Sequence, residues 1–98
     1  MSNEILVSAE FTAKTNMIDR LIQELDMLVP LTRLEPGCIE YTMYKSLENQ
    51  DKVLMVERFK NREAFDFHLQ TNYVRNFVDN LMPILVEEVK FGTWREES

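Results

Sequence analysis

Apolar residues in this chain recur at two spacings, and the switches between them mark out the elements. From Glu4 to Lys14 the chain alternates, with Ile5, Val7, Ala9 and Phe11 on one side and Leu6, Ser8, Glu10 and Thr12 on the other. That two-residue period predicts a strand with one strongly apolar face. Beyond Thr15 the spacing changes, and Ile18, Leu21, Ile22, Leu25, Leu28 and Val29 fall on one helical stripe. Thr15 or Asn16 is expected to cap that helix, and Asp19 to sit in its first turn, where the dipole favours a carboxylate. Pro30 is expected to kink or end it. Glu35–Gly37 then reads as a turn.

Alternation returns in Cys38–Ser46, with Ile39, Tyr41 and Met43 opposite Cys38, Glu40, Thr42 and Tyr44. In Val53–Lys60 it places Val53, Met55, Glu57 and Phe59 opposite Leu54, Val56, Arg58 and Lys60. The short polar loop between these two runs makes them a hairpin. Asn61–Gln70 reads as a short helix capped by Asn61. A second helical piece follows, capped by Thr71 or Asn72, striped by Tyr73, Val74, Phe77, Val78 and Leu81, and closed by Pro83. Ile84–Trp94 is expected as the last strand, with Leu85, Val89 and Phe91 on one face.

The order strand, helix, strand, strand, helix, strand predicts an α+β fold. It is the ferredoxin-like βαββαβ layout, a four-stranded antiparallel sheet with helices on one face, formed by one domain over residues 1–98. The other face would carry Leu6, Leu54, Val56, Tyr44 and Trp94 among Ser8, Glu10, Thr42 and Arg58. That is too apolar to leave in water, so a two-fold homodimer with sheet against sheet is expected.

Composition narrows the function. The net charge of −6 on 98 residues argues against nucleic acid and against an anionic membrane surface as partners. No apolar run approaches the roughly 20 residues of a membrane helix. The start, "MSNEILVSAEF", has no basic region followed by a long apolar run, so no signal peptide is expected. With a single cysteine, Cys38, no internal disulfide can form, which suits the reducing cytoplasm. Two glycines cannot build a glycine-rich phosphate loop.

Two residues carry candidate chemistry. His68, the only histidine, shares a helical side with Phe65 and Leu69 and is expected to face the sheet. It is either a neutral core imidazole or a working acid–base group. Without a second histidine or a Cys/Asp cluster, a metal site is not expected. Glu57 falls between Met55 and Phe59 on the apolar side of its strand, where a carboxyl needs a partner. Arg33, Arg75 and His68 are the candidates, and the pair could be structural or catalytic. Tyr41, Met43, Met55, Phe59, Phe65 and Phe77 form either plain core or the lining of a pocket for a planar ligand. Cys38 is expected to be an unreactive, half-buried strand residue.

These residues also carry a resemblance. Glu35-Pro36-Gly37-Cys38, then Tyr41, Glu57-Arg58-Phe59, Ala64-Phe65, His68 and Tyr73, resembles the pattern of the antibiotic biosynthesis monooxygenase family over nearly the whole chain. The resemblance implies a dimeric α/β barrel. It also implies oxidation of a quinol or related phenolic or polycyclic small molecule by molecular oxygen, with no cofactor and no metal. His68 and Glu57 would be the catalytic residues, and Tyr41, Phe59, Phe65, Tyr73 and Phe77 would bind the substrate. Heme-degrading relatives carry Trp at the position of Phe59, which has no indole N–H, so heme degradation is not expected. "FHLQT" also resembles a family member that isomerises a phosphorylated dione. An isomerase on a small dione and a non-catalytic dimeric ligand-binding module therefore stand as alternatives.

Overall fold

A computed structural model of the chain describes residues 3–97. Met1, Ser2 and Ser98 lie outside the described residues. The elements are β1 (Ile5–Ala13), α1 (Ile18–Arg33), β2 (Cys38–Lys45), β3 (Lys52–Phe59), α2 (Arg62–Gln70), α3 (Asn72–Asn76), a π-helical turn (Phe77–Leu81), α4 (Met82–Leu85) and β4 (Val86–Trp94). The strands lie in the order β2-β3-β1-β4, and every neighbouring pair is antiparallel. This is the ferredoxin-like α+β fold expected from the alternation. Among the described residues no helix is long and apolar enough to cross a membrane.

Burial alternates along β1 and β3, so the two central strands each turn one apolar row toward the helices. Cross-strand register aligns those rows. Val7 and Tyr41 flank Glu57, Ala9 and Met43 flank Met55, and Phe11 faces Val53. Leu21, Leu25 and Leu28 of α1 close over this surface. Each buried leucine contributes roughly 1.5–3 kcal/mol.

Several local expectations are corrected. Ile39 does not join Tyr41 and Met43. The register shifts between Cys38 and Glu40, which places Cys38 opposite Phe59 and leaves Ile39 51% exposed. A bulge inserts one residue and reverses the parity of everything before it. Pro30 neither ends nor interrupts α1, which runs on to Arg33. Pro30 and Asp26 are both exposed, so the proline lies on the solvent side of the helix, while buried Leu28 and Thr32 hold the last turns in place. The N-cap of α1 is Met17, without a side-chain cap. Asn16 instead occupies a left-handed turn position at φ 64°, which asparagine tolerates.

Pro83 does not close the second helical piece either. The turn before it widens to π geometry, with the Met82 N–H bonded to the Phe77 carbonyl. Pro83 then sits in the first turn of α4, where no N–H is required of it. Leu85 consequently ends α4, fully buried, and β4 begins at Val86. Phe91 does face the helix side, opposite Ala9 and edge-on to Phe11, yet it stays 66% exposed on the outermost strand. Leu69 is likewise largely exposed rather than packed on the sheet.

Gly37 allows the turn after α1 to touch α2. A methyl group at this position would overlap the Cβ of Ala64. Gly37→Ala is therefore expected to lower unfolding stability by roughly 1–3 kcal/mol, as an overpacked contact does. Urea denaturation of the purified variant checks it, and an unchanged midpoint would show that α2 is not held against this turn.

Candidate functional site

Three elements bring the site together. β3 supplies Glu57 (6% exposed), α2 supplies His68 (3%), and the turn after α1 supplies Glu35 (7%). The start of α2 is fixed by the Asn61 side chain, which accepts from the Ala64 N–H at 2.9 Å. Its end is fixed by the Thr71 hydroxyl, which donates to the His68 carbonyl at 2.8 Å. Between these anchors the His68 ring lies against Phe59 (centroids 5.1 Å apart) and Tyr41 (5.4 Å), and Phe59 also packs on Phe65 at 5.5 Å.

The imidazole sits between two carboxyl groups. Nδ1 is 3.0 Å from Glu35 Oε2, and Nε2 is 3.7 Å from Glu57 Oε1. The first is a hydrogen bond; the second is too long for one but well within electrostatic reach. The Tyr73 hydroxyl donates to the same Glu35 Oε2. Because the two carboxyls flank opposite ring nitrogens, they do not converge on a point. Among the described residues no group of three His, Cys, Asp or Glu is placed to hold a metal ion.

Burial dominates the electrostatics. It pushes the Glu57 carboxyl up to about 8, with a further contribution from Glu35. Tyr41 is raised by burial and by the neighbouring Glu57. Tyr73 is pushed up to about 12 by burial and by its bond to Glu35. Cys38 is pushed up to about 11, chiefly by burial and then by Glu35, so its thiol stays protonated at neutral pH.

Above Glu57 and His68 lies a small apolar cavity of about 70 Å³ between sheet and helices. Tyr41, Phe65 and Phe77 line it together with Met55, Leu25 and Leu28, and Leu69, Val78 and Phe91 form its more exposed part. Phe59 is fully buried beneath His68 and Phe65 and is set back from the cavity, and Tyr73 is turned away from it toward Glu35. Neither arginine reaches Glu57. Arg33 donates to the Tyr41 carbonyl at 2.9 and 3.1 Å, and Arg75 pairs with Asp79 on the surface. Glu35 escaped the sequence reading as a site residue. It was visible as the first residue of a turn motif and of the family pattern, with no chemical role attached, and its partner lies 33 positions away.

The fold and its buried histidine–carboxyl cluster define a ferredoxin-like protein with a candidate small-molecule site in the helix-covered interior. Residues 4–80 match the model of the antibiotic biosynthesis monooxygenase family, and the chain belongs to that family. The uncharacterized protein sll1783 of Synechocystis sp. is 28% identical over 91 residues, 93% of this chain and 62% of its own length. The chain thus spans about three fifths of that relative. From Mycobacterium tuberculosis, the protein named "Putative monooxygenase Rv0793" is 29% identical over 89 residues, 91% of this chain and 87% of that one. The crystal structure of protein SO0527 from Shewanella oneidensis aligns with a TM-score of 0.95 at 32% identity, covering 98% of this chain and 93% of that one.

The raised Glu57 pKa makes stability depend on pH. In the unfolded chain this carboxyl ionises near 4.5, whereas in the folded protein it holds its proton up to about 8. Between those values the folded state binds more protons, so stability is full below the lower value and falls as pH rises through the upper one. The expected loss is on the order of a few kcal/mol at most. Glu57→Gln should flatten this slope. Denaturation midpoints from acid to mildly alkaline pH check it, and equal slopes in both proteins would place the titration elsewhere.

Proposed function

We propose that this chain is a cofactor-independent monooxygenase that oxidises a quinol or related phenolic small molecule with molecular oxygen. The observation that carries the reading is the apolar cavity whose polar lining residues, among the described residues, are His68, Glu57 and Tyr41. His68 is the base that takes the phenol proton, and Glu57 tunes it and supplies a proton on return. Tyr41, Phe65 and Phe77 shape the cavity, with Phe59 and Tyr73 supporting His68 and Glu35 from behind. The electron-rich phenolate passes an electron to oxygen, and the two radicals join as a carbon–oxygen bond. The resulting peroxide anion takes back the proton as a hydroperoxide, which loses water. A hydroquinone plus oxygen thereby becomes a hydroxyquinone plus water, all four electrons coming from the substrate. Exclusion of water and a base near working pH are what such a step asks of a protein.

A volume of about 70 Å³ holds only a few waters, and small-molecule pockets run to roughly 300–1,000 Å³. Substrate entry therefore requires the more exposed lining, Leu69, Val78 and Phe91, to move aside. The isomerase alternative on a phosphorylated dione would need a cation at the cavity, and no lysine or arginine lines it. A purely structural binding module would have no use for two carboxyls buried beside one histidine.

With a quinol substrate, the protein is expected to consume oxygen and place one labelled atom from ¹⁸O₂ in the product. His68→Gln should lower turnover by roughly 10²–10⁴-fold, the range for losing a general base. Turnover that is as fast under argon as under air would eliminate the monooxygenase reading.

The reading includes a homodimer. Leu54, Val56 and Leu6 lie half-buried on the uncovered sheet face, beside exposed Tyr44 and Trp94. The Trp94 indole lies against Gly92, where a side chain would collide with it, and donates to Ser8 Oγ at 2.9 Å. Sedimentation of the wild type is expected to give a dimer, and Leu54→Asp a monomer. A wild type that sediments as a monomer at micromolar concentration would remove this part of the reading.

A further inference from the structure

Glu35 does not line the cavity, yet it is the carboxyl that makes the closer contact with the His68 ring. Its Oε2 already accepts the hydrogen of the Tyr73 hydroxyl. A carboxylate oxygen has only lone pairs to offer, so against the Glu35 carboxylate Nδ1 at 3.0 Å is the donor. A neutral imidazole with its hydrogen on Nδ1 has its lone pair on Nε2. That nitrogen faces Glu57 Oε1 at 3.7 Å on the side of the cavity. The remaining oxygen of Glu35, Oε1, is buried and has no hydrogen-bond partner among the described residues. A carboxyl serving only to tie the chain together would be expected to satisfy both oxygens. This one concentrates two donors on a single atom and leaves the other unused.

We propose that Glu35 is a positioning residue that holds His68 as the Nδ1–H tautomer and thereby turns the basic Nε2 lone pair toward Glu57 and the cavity. Tyr73 restrains the carboxyl by sharing the accepting oxygen. The role has a purpose because His68 is read as the base of the proposed oxidation. The tautomer itself belongs to the resting protein and is read without any substrate.

His68 is the only histidine in the chain, so labelling with ¹⁵N-histidine reports one ring. Two-bond proton–nitrogen spectra, recorded where the imidazole is neutral, assign the hydrogen to one nitrogen or the other. The wild type is expected to show a single form with the hydrogen on Nδ1. Glu35→Gln, which keeps an acceptor oxygen, should retain it. Glu35→Met should lose it and shift the ring toward the Nε2–H form that a free histidine side chain prefers. A merely structural Glu35 would leave the tautomer of the Met variant unchanged while lowering its stability, and that result overturns the proposal. A wild type with its hydrogen on Nε2 overturns it as well, and this spectrum decides the matter if Glu35→Met does not fold. A protein that shows the Nδ1–H form but no oxygen uptake would instead count against the oxidation and leave the positioning role standing.

Discussion

The hydrogen bond between Glu35 and His68 joins two parts of the chain that no sheet pairing connects. Glu35 ends the turn that leaves α1, where its N–H is bonded to the Thr32 carbonyl, and His68 lies in the last turn of α2. For the two to meet, α2 must lie against that turn. Gly37 permits this by offering no side chain where Ala64 arrives, and its carbonyl accepts from the Lys60 N–H at 2.9 Å. The same approach brings Phe65 onto Phe59 and sets the imidazole over β3, where Glu57 waits on an otherwise apolar row. A buried carboxyl without a nearby polar group is costly. Docking α2 therefore does two things at once, covering the row and giving its one acid a neighbour.

The extent to which this was legible in the sequence follows from the range of each interaction. Strand parity is local and regular, so β1 and β3 read correctly, and Glu57 could be seen as an acid on the wrong face for water. Helical spacing likewise turned His68 inward. Parity failed at Ile39 because a bulge shifts the count by one and leaves no mark in residue types. The proline rules failed at both Pro30 and Pro83. At Pro30 the proline lies on the solvent side of the helix, and at Pro83 a widened π turn lets a new helix start. Both outcomes depend on what is exposed and what is packed, which a local rule does not contain. Glu35 was hidden for a different reason. Its turn context explained it completely, and nothing nearby in sequence announced a histidine partner 33 residues on.

The cavity divides into parts with different freedom. Its floor is β1 and β3, each hydrogen-bonded to strands on both sides, so Glu57 and Met55 have little room to shift. Its roof combines α1, through Leu25 and Leu28, with short helical pieces interrupted at Thr71 and again at the π turn, which contribute Leu69, Val78 and Met82. Turns of π geometry interrupt the regular ladder and are often found at functional sites. Enlargement for a ligand would therefore fall on these short pieces and on Phe91 of the edge strand β4, while the group that would touch a reacting atom stays referenced to the floor through Glu57 and to the turn after α1 through Glu35.

This arrangement bears on which chemistry the site can favour, since the fold itself decides none. Lysine and arginine are absent from the cavity lining, so an anion formed there gains no fixed cation. Stabilisation has to come from a proton. Burial pushes the Glu57 carboxyl up to about 8, and it stands 3.7 Å from the ring nitrogen that the role proposed for Glu35 leaves free to accept. In the proposed oxidation the pair would take a proton from a phenol and return one to an oxygen-derived anion without any net charge entering the apolar space. A phosphorylated substrate would bring charge that nothing in the lining offsets, whereas a neutral aromatic alcohol and dioxygen bring none. The same burial that makes Glu57 costly to the fold thus matches the site to uncharged reactants.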